Sequence, residues 1–174
     1  MMIQDDIRVL LVDDDVEDAN VAIIALRKVC SPTFEIVHVD NLVSAIKEIE
    51  AGTFDVLLLD LGLRECSGLA ALARVREADC EIPIVVLSGL SDEDIALSSL
   101  DQGAQDYLSK DDFSPSSLSR SIRYAIQRHQ SFVEIQKLLT RVQEREELLQ
   151  KKNRRLAKLY ETAHQFVDNI SHEF

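Results

Sequence analysis

The chain has 174 residues, room for one domain and an extension. Hydrophobic residues make up 46%, ample for a core, and the net charge of −12 is unevenly spread: residues 1–112 hold 8 Lys/Arg against 24 Asp/Glu, residues 113–174 hold 11 against 7. An acidic globule with a mildly basic tail argues against nucleic-acid binding by the globule, and three cysteines (Cys30, Cys66, Cys80) without C-x-x-C spacing exclude a disulfide framework and a zinc site.

Sparse cysteines fit a reducing cytoplasm. The opening Met-Met-Ile-Gln-Asp-Asp lacks the regions of a signal peptide, and no apolar run approaches the ~18 residues of a membrane span. A cytoplasmic protein without direct membrane insertion is expected.

Ile7 to Val12 is an apolar run that reads as a first strand, with Asp13-Asp14-Asp15 at its carboxyl end. Val16 to Val29 carries Val16, Ala19, Ile23 and Leu26 at helical spacing, and Ser31-Pro32-Thr33 ends it. Phe34 to Val39 is a second strand. Asn41 caps a helix through Leu42, Ala45, Ile46 and Ile49 that Gly52 closes. Phe54 to Asp60 is a third strand, and its continuous apolar run Val56–Leu59 marks it as buried on both faces. The loop Gly62 to Ser67 leads to a helix bearing Leu69, Leu72, Ala73 and Val75. Ile82 to Leu87 is strand four, and Ser91 caps a helix with Asp92, Glu93 and Asp94 in its first turn. Ala104 to Leu108 is a short edge strand. From Ser116 the pattern is helical to the end. Alternating strands and helices imply a doubly wound parallel sheet, α/β in class, with right-handed crossovers.

In such a sheet the carboxyl ends of the strands converge on one crevice. Those ends carry Asp13 and Asp14, Asp60, Ser88 and Lys110. Crowded carboxylates repel and raise one another's pKa, and a hard divalent cation such as Mg²⁺ relieves them while sharing phosphate oxygens. An Asp carboxylate is also a competent nucleophile towards phosphorus, and Lys110 supplies a point charge for the moving group. Taken singly, each residue has an ordinary explanation: an Asp run caps a helix, a lysine is solvated, a tyrosine packs an edge. The joint placement carries the reading.

Leu-Leu-Val-Asp-Asp-Asp, Leu-Leu-Leu-Asp-Leu, Val-Val-Leu-Ser-Gly and Asp-Tyr-Leu-Ser-Lys together resemble the receiver domain of two-component response regulators over roughly residues 7–128. The resemblance implies a flavodoxin-like (βα)5 fold with strand order 2-1-3-4-5. It implies Asp60 as phosphoacceptor, and Asp13, Asp14 and the main-chain carbonyl of Gly62 as Mg²⁺ ligands with Asp60. Ser88 takes the switch hydroxyl place, Tyr107 the switch aromatic place and Lys110 the lysine place. The partner implied is a phosphodonor histidine kinase or phosphotransfer protein. Two positions depart from the family: Asp111 follows the lysine where a cis proline is usual, and Arg64 replaces a common proline in the loop after Asp60. A cis bond before a non-proline costs ~3 kcal/mol, so the isomer of Lys110–Asp111 stays open, and a less rigid loop is expected around Arg64.

Beyond residue 128, Ile135, Val142, Leu149, Leu156, Ala163 and Ile170 recur every seven residues. Phe132, Leu139, Glu146, Asn153, Tyr160 and Val167 fall three before them. These are d and a positions of a coiled coil, and Asn153 at a favours two strands. A homodimer through this helix is expected, with 129–165 as a signalling helix. The basic cluster Lys151, Lys152, Arg154, Arg155 and Lys158 reads as its solvated flank. The ending Ser-His-Glu-Phe within 166–174 resembles the opening of a histidine kinase H-box, which implies His172 as a phosphorylatable histidine, Glu173 as its acid, and a hybrid histidine kinase as parent. No Gly-rich phosphate loop is present in the chain. Two other classes stay open: a dimeric adaptor indifferent to phosphorylation, and a phosphatase of haloacid-dehalogenase type, whose Asp-x-Asp start Asp13-x-Asp15 resembles, with Asp13 as nucleophile.

Overall fold

The computed structural model describes residues 6–66, 68–78, 81–89 and 93–172, with residues 93, 94 and 168–172 described for backbone alone. The elements in order are β1 (Asp6–Val12), α1 (Val16–Arg27), β2 (Thr33–Val39), α2 (Leu42–Ala51), β3 (Val56–Asp60), α3 (Leu69–Glu77), β4 (Ile84–Ser88), α4 (Glu93–Asp101), β5 (Asp106–Ser109), a 3-10 turn (Lys110–Asp112) and α5 (Pro115–His172). The five strands form one parallel sheet in the order β2-β1-β3-β4-β5. This is the flavodoxin-like arrangement that the sequence implies.

Every residue of β3 and β4 is buried, as a central strand covered by helices on both faces requires. Alternation along the strands sends side chains to two cores. Leu10, Leu57, Leu59, Ile84 and Val86 pack with Leu42, Leu72 and Val75 from α2 and α3. Val9, Leu11, Leu58, Val85 and Leu87 pack with Ala19, Ala22 and Leu26 of α1 and with Leu118, Ile122 and Ala125 of α5. Alanines at the sheet-facing positions of α1 leave room for its backbone close to the sheet.

Several boundaries differ from expectation. Val16 is 62% exposed, because the phase of α1 is set by its alanines and Leu26. Gly52 closes α2 in an extended conformation (φ −133°), without the left-handed turn of a usual glycine stop. Strand β5 starts at Asp106, two residues late. Helix α5 starts at Pro115, a residue early. There proline fits the first helical position, and Ser114 caps reciprocally: its Oγ accepts the Ser117 N–H at 3.0 Å and its N–H donates to Ser117 Oγ at 3.0 Å. The expected cap Ser91 with Asp92 lies outside the described residues, as does Glu173.

The chain divides into two compact units, 1–130 and 131–174. The second is a continuation of α5 in which Phe132, Ile135, Leu139, Val142, Leu149, Leu156, Tyr160 and Val167 are all exposed. No described helix is long and apolar enough to cross a membrane.

Candidate functional site

Four strand ends deliver the site. Asp13 and Asp14 follow β1, Asp60 ends β3, Ser88 ends β4, and Lys110 opens the turn after β5. Asp13 is 1% and Asp60 3% exposed. Parallel pairing fixes their common depth: Asp60 lies opposite Leu87, and Ser88 opposite Ser109. Carboxylate oxygens of Asp13, Asp14 and Asp60 lie within 4.8 Å of one another.

The aspartate run divides its labour. Asp15 is the helix cap, accepting the Glu17 N–H at 2.8 Å, and its N–H donates to Asp13 Oδ1 at 2.9 Å. These bonds close Asp13-x-Asp15 into a turn that leads into α1. His38 donates from Nε2 to the main-chain oxygen of Asp13 at 2.8 Å. A ring assigned no role from sequence thus steadies the backbone that aims this acid.

Lys110 Nζ lies 2.8 Å from Asp13 Oδ2, 2.8 Å from Asp18 Oδ2 and 3.2 Å from Asp60 Oδ1. Asp18, in the first turn of α1, has no counterpart in the sequence reading. Acids are ordinary there for the helix dipole, and only the fold brings this one beneath the ammonium. Asp14 is held separately: Arg64 Nε lies 2.9 Å from its Oδ2, and the Arg64 N–H donates to the same oxygen at 3.2 Å.

Burial raises the pKa of Asp60, and the charge of Asp13 adds to this. The Gly62 N–H and Lys110 act in the opposite direction and lose. For Lys110 burial acts downward, but its bonds to Asp13 and Asp18 and the charges of Asp60 and Asp13 outweigh it, so it stays protonated well above its usual range. Three hard carboxylates at one rim, with waters free to enter an open crevice of about 630 Å³, suit Mg²⁺. Gly62 and Gly89 line the same crevice. A Cβ at Gly62 would sit 2.9 Å from Asp60 Oδ2, so this position tolerates no side chain without movement of the acid.

The remaining expected residues fall as follows. Tyr107 is half-buried on β5 and packs against the core shared by α2 and α3. Ser31–Pro32 is the one cis bond among the described residues, so Lys110–Asp111 is trans. The loop after Asp60 is tied down despite lacking proline: Arg64 holds Asp14, Glu65 accepts the Leu42 N–H at 2.5 Å, and the Gly68 N–H donates to Leu61 O at 2.7 Å. The expectation of a looser loop is corrected to this extent. The backbone of His172 ends α5, and its side chain lies outside the description.

The model of the response regulator receiver domain matches residues 9–123, more than half of the chain. The chain belongs to the response regulator receiver domain family. It is 32% identical over 103 residues to the transcriptional regulatory protein KdpE of Staphylococcus aureus, covering 59% of this chain and 43% of that protein. It is 34% identical over 112 residues to the swarming motility regulation protein RssB of Serratia marcescens, covering 64% of this chain and 50% of RssB. The chain therefore spans about half the length of these curated relatives or less. Among solved structures, NtrX from Brucella abortus in complex with ADP superposes with a TM-score of 0.65 at 25% identity, covering 75% of this chain and 29% of NtrX. A CheY-like receiver from Methanospirillum hungatei superposes at 0.61 with 21% identity, covering 72% of this chain and 97% of that one, a likeness of fold alone. This receiver thus carries the sheet order, the strand-end acids and the lysine on one rim.

Proposed function

We propose that this receiver is a Mg²⁺-dependent phosphoacceptor, charged on Asp60 by the phosphohistidine of a histidine kinase or phosphotransfer protein. The observation that carries the reading is the meeting of three carboxylates within 4.8 Å, with an ammonium group 3.2 Å from Asp60. Asp13, Asp14, Asp60 and the Gly62 carbonyl would hold Mg²⁺, which would supply neutralisation of phosphoryl charge. An Asp60 oxygen attacks phosphorus. An O–P bond forms while the donor N–P bond breaks, and the imidazole leaves with the electron pair and takes a proton from water. Lys110 shifts towards the phosphoryl oxygens, the Ser88 hydroxyl donates to one of them, and Gly89 leaves space for the group. Inward movement of Ser88 lets Tyr107 follow, which biases the β5 and α5 face.

The output on this reading is the helix beyond residue 130, pairing with its copy in a cytoplasmic homodimer and running into a histidine kinase dimerisation helix that starts within 166–174 and carries His172. Its support is the exposed apolar seam, which a lone helix has no means to bury. Acetyl phosphate as donor tests the phosphoacceptor step. We expect an alkali-labile phosphoryl group that requires Mg²⁺ and is formed more than tenfold more slowly by Asp13→Asn or Asp14→Asn. Equal labelling with and without Mg²⁺, or undiminished labelling of both variants, contradicts the reading.

A further inference from the structure

The four acids of the rim are divided between two cations. Lys110 takes Asp13, Asp18 and Asp60, and Arg64 takes Asp14. Arg64 makes two bonds to one oxygen of Asp14, from Nε at 2.9 Å and from its main-chain N–H at 3.2 Å. Its side chain is 83% exposed while that of Asp14 is only 18% exposed, so the guanidinium lies over the acid from the solvent side. A proline at position 64 offers neither donor: it has no N–H and no cation.

We propose that Arg64 is a gate on the metal acid Asp14, its guanidinium competing with the divalent cation for that carboxylate and weakening Mg²⁺ binding. This rests on the Mg²⁺ reading above. The competition is electrostatic. Guanidinium remains charged at all accessible pH, so it competes for the carboxylate throughout. A cation entering the rim meets a positive charge already seated beside that carboxylate. The main-chain N–H imposes no such conflict, because it carries no net charge and leaves other acceptor sites of the carboxylate open. The backbone bond holds the loop while the side chain swings out. An exposed pair is weak and screened, so the expected effect is modest, about two- to fivefold in affinity, and it shrinks as ionic strength rises.

Calorimetric titration of the full chain with MgCl₂, repeated with Mn²⁺ by electron paramagnetic resonance, reads the effect directly. Arg64 is exposed, and circular dichroism verifies the fold of each variant. Arg64→Ala and Arg64→Gln should tighten binding about two- to fivefold at low salt, whereas Arg64→Lys, which keeps the charge, should stay nearer the original affinity. In an Asp14→Asn background, Arg64→Ala should lose its effect, as a double-mutant cycle requires of a direct pair. Unchanged affinity in Arg64→Ala and Arg64→Gln overturns the gate and leaves the phosphoacceptor reading intact. The same holds for equal tightening in Arg64→Lys or in the Asp14→Asn background. Failure of the original chain and every variant to bind either cation overturns both.

Discussion

Asp60 bears the sharpest conflict at the level of single residues. It is a buried acid beside another acid, and burial raises its pKa from the ordinary value of 3.8. A raised folded-state value means that the fold favours the protonated form. That contribution is fully present below pH 3.8 and is lost as pH rises through the raised value. At neutral pH the ionised carboxylate therefore weighs against the fold. Asp60→Asn keeps the shape and removes the charge, and Lys110 retains Asp13 and Asp18 as partners. We predict that Asp60→Asn raises the urea midpoint at pH 7 and that its advantage disappears as pH falls towards 3.8. A lowered midpoint at pH 7 would contradict this account of the site. The same residues show what a sequence discloses. Asp13, Asp14, Asp60, Ser88 and Lys110 were legible because each ends a strand, and strand ends in a doubly wound sheet converge. Asp18 was not, because an acid in a first helical turn has a sufficient local reason to be there. Arg64 was visible as a departure, but its bond to Asp14 joins residues fifty positions apart, and no periodicity encodes that.

The elements follow from hydrophobic period and caps, and the misplacements have local causes. Val16 falls at helical spacing with Ala19 and Ile23, yet points outward, because three small residues decide which face of α1 lies on the sheet. A stripe of alanines carries little hydrophobic contrast of its own. Helix α5 begins one residue earlier than its apolar pattern suggests, since proline at the first helical position and the Ser114–Ser117 box define the start chemically. Replacing Ser114 by alanine removes an acceptor for one otherwise unsatisfied N–H, which costs about 1 kcal/mol. We predict a drop of that size in the denaturant-derived stability, with little change in Mg²⁺ affinity, since the cap is remote in sequence and role from the acids. A loss of Mg²⁺ binding in that variant would show that the start of α5 positions the site. The loop after Asp60 makes the converse point. Proline is one way to stiffen a turn, but here side-chain and backbone bonds from Arg64, Glu65 and Gly68 anchor the same segment.

For the molecule as a whole, the acidic receiver and the near-neutral helix beyond it pose different physical problems. The receiver packs two apolar clusters against its own sheet. The helix from residue 131 leaves its heptad residues exposed, between 51% for Leu139 and 69% for Tyr160 among the large ones. On the dimer reading, those side chains find cover in a second copy. Each buried leucine contributes roughly 1.5–3 kcal/mol, so aspartate at both Leu149 and Leu156 should convert a dimer at low micromolar concentration to a monomer in sedimentation equilibrium. A wild-type chain that sediments as a monomer would remove the dimer from the account. The heptad was legible from sequence because spacing is all it needs, whereas its occupant is not written in any one chain. The receiver's chemistry underlies the proposed signal, and it reduces to one bond between phosphorus and an oxygen of Asp60. Borohydride reduces an acyl phosphate to an alcohol and leaves free carboxylates intact, so treatment after acetyl phosphate and Mg²⁺, followed by peptide mass mapping, locates that bond. The account predicts homoserine at position 60 and at no other aspartate. Homoserine at position 13, or none anywhere in a chain that has bound Mg²⁺, would contradict it.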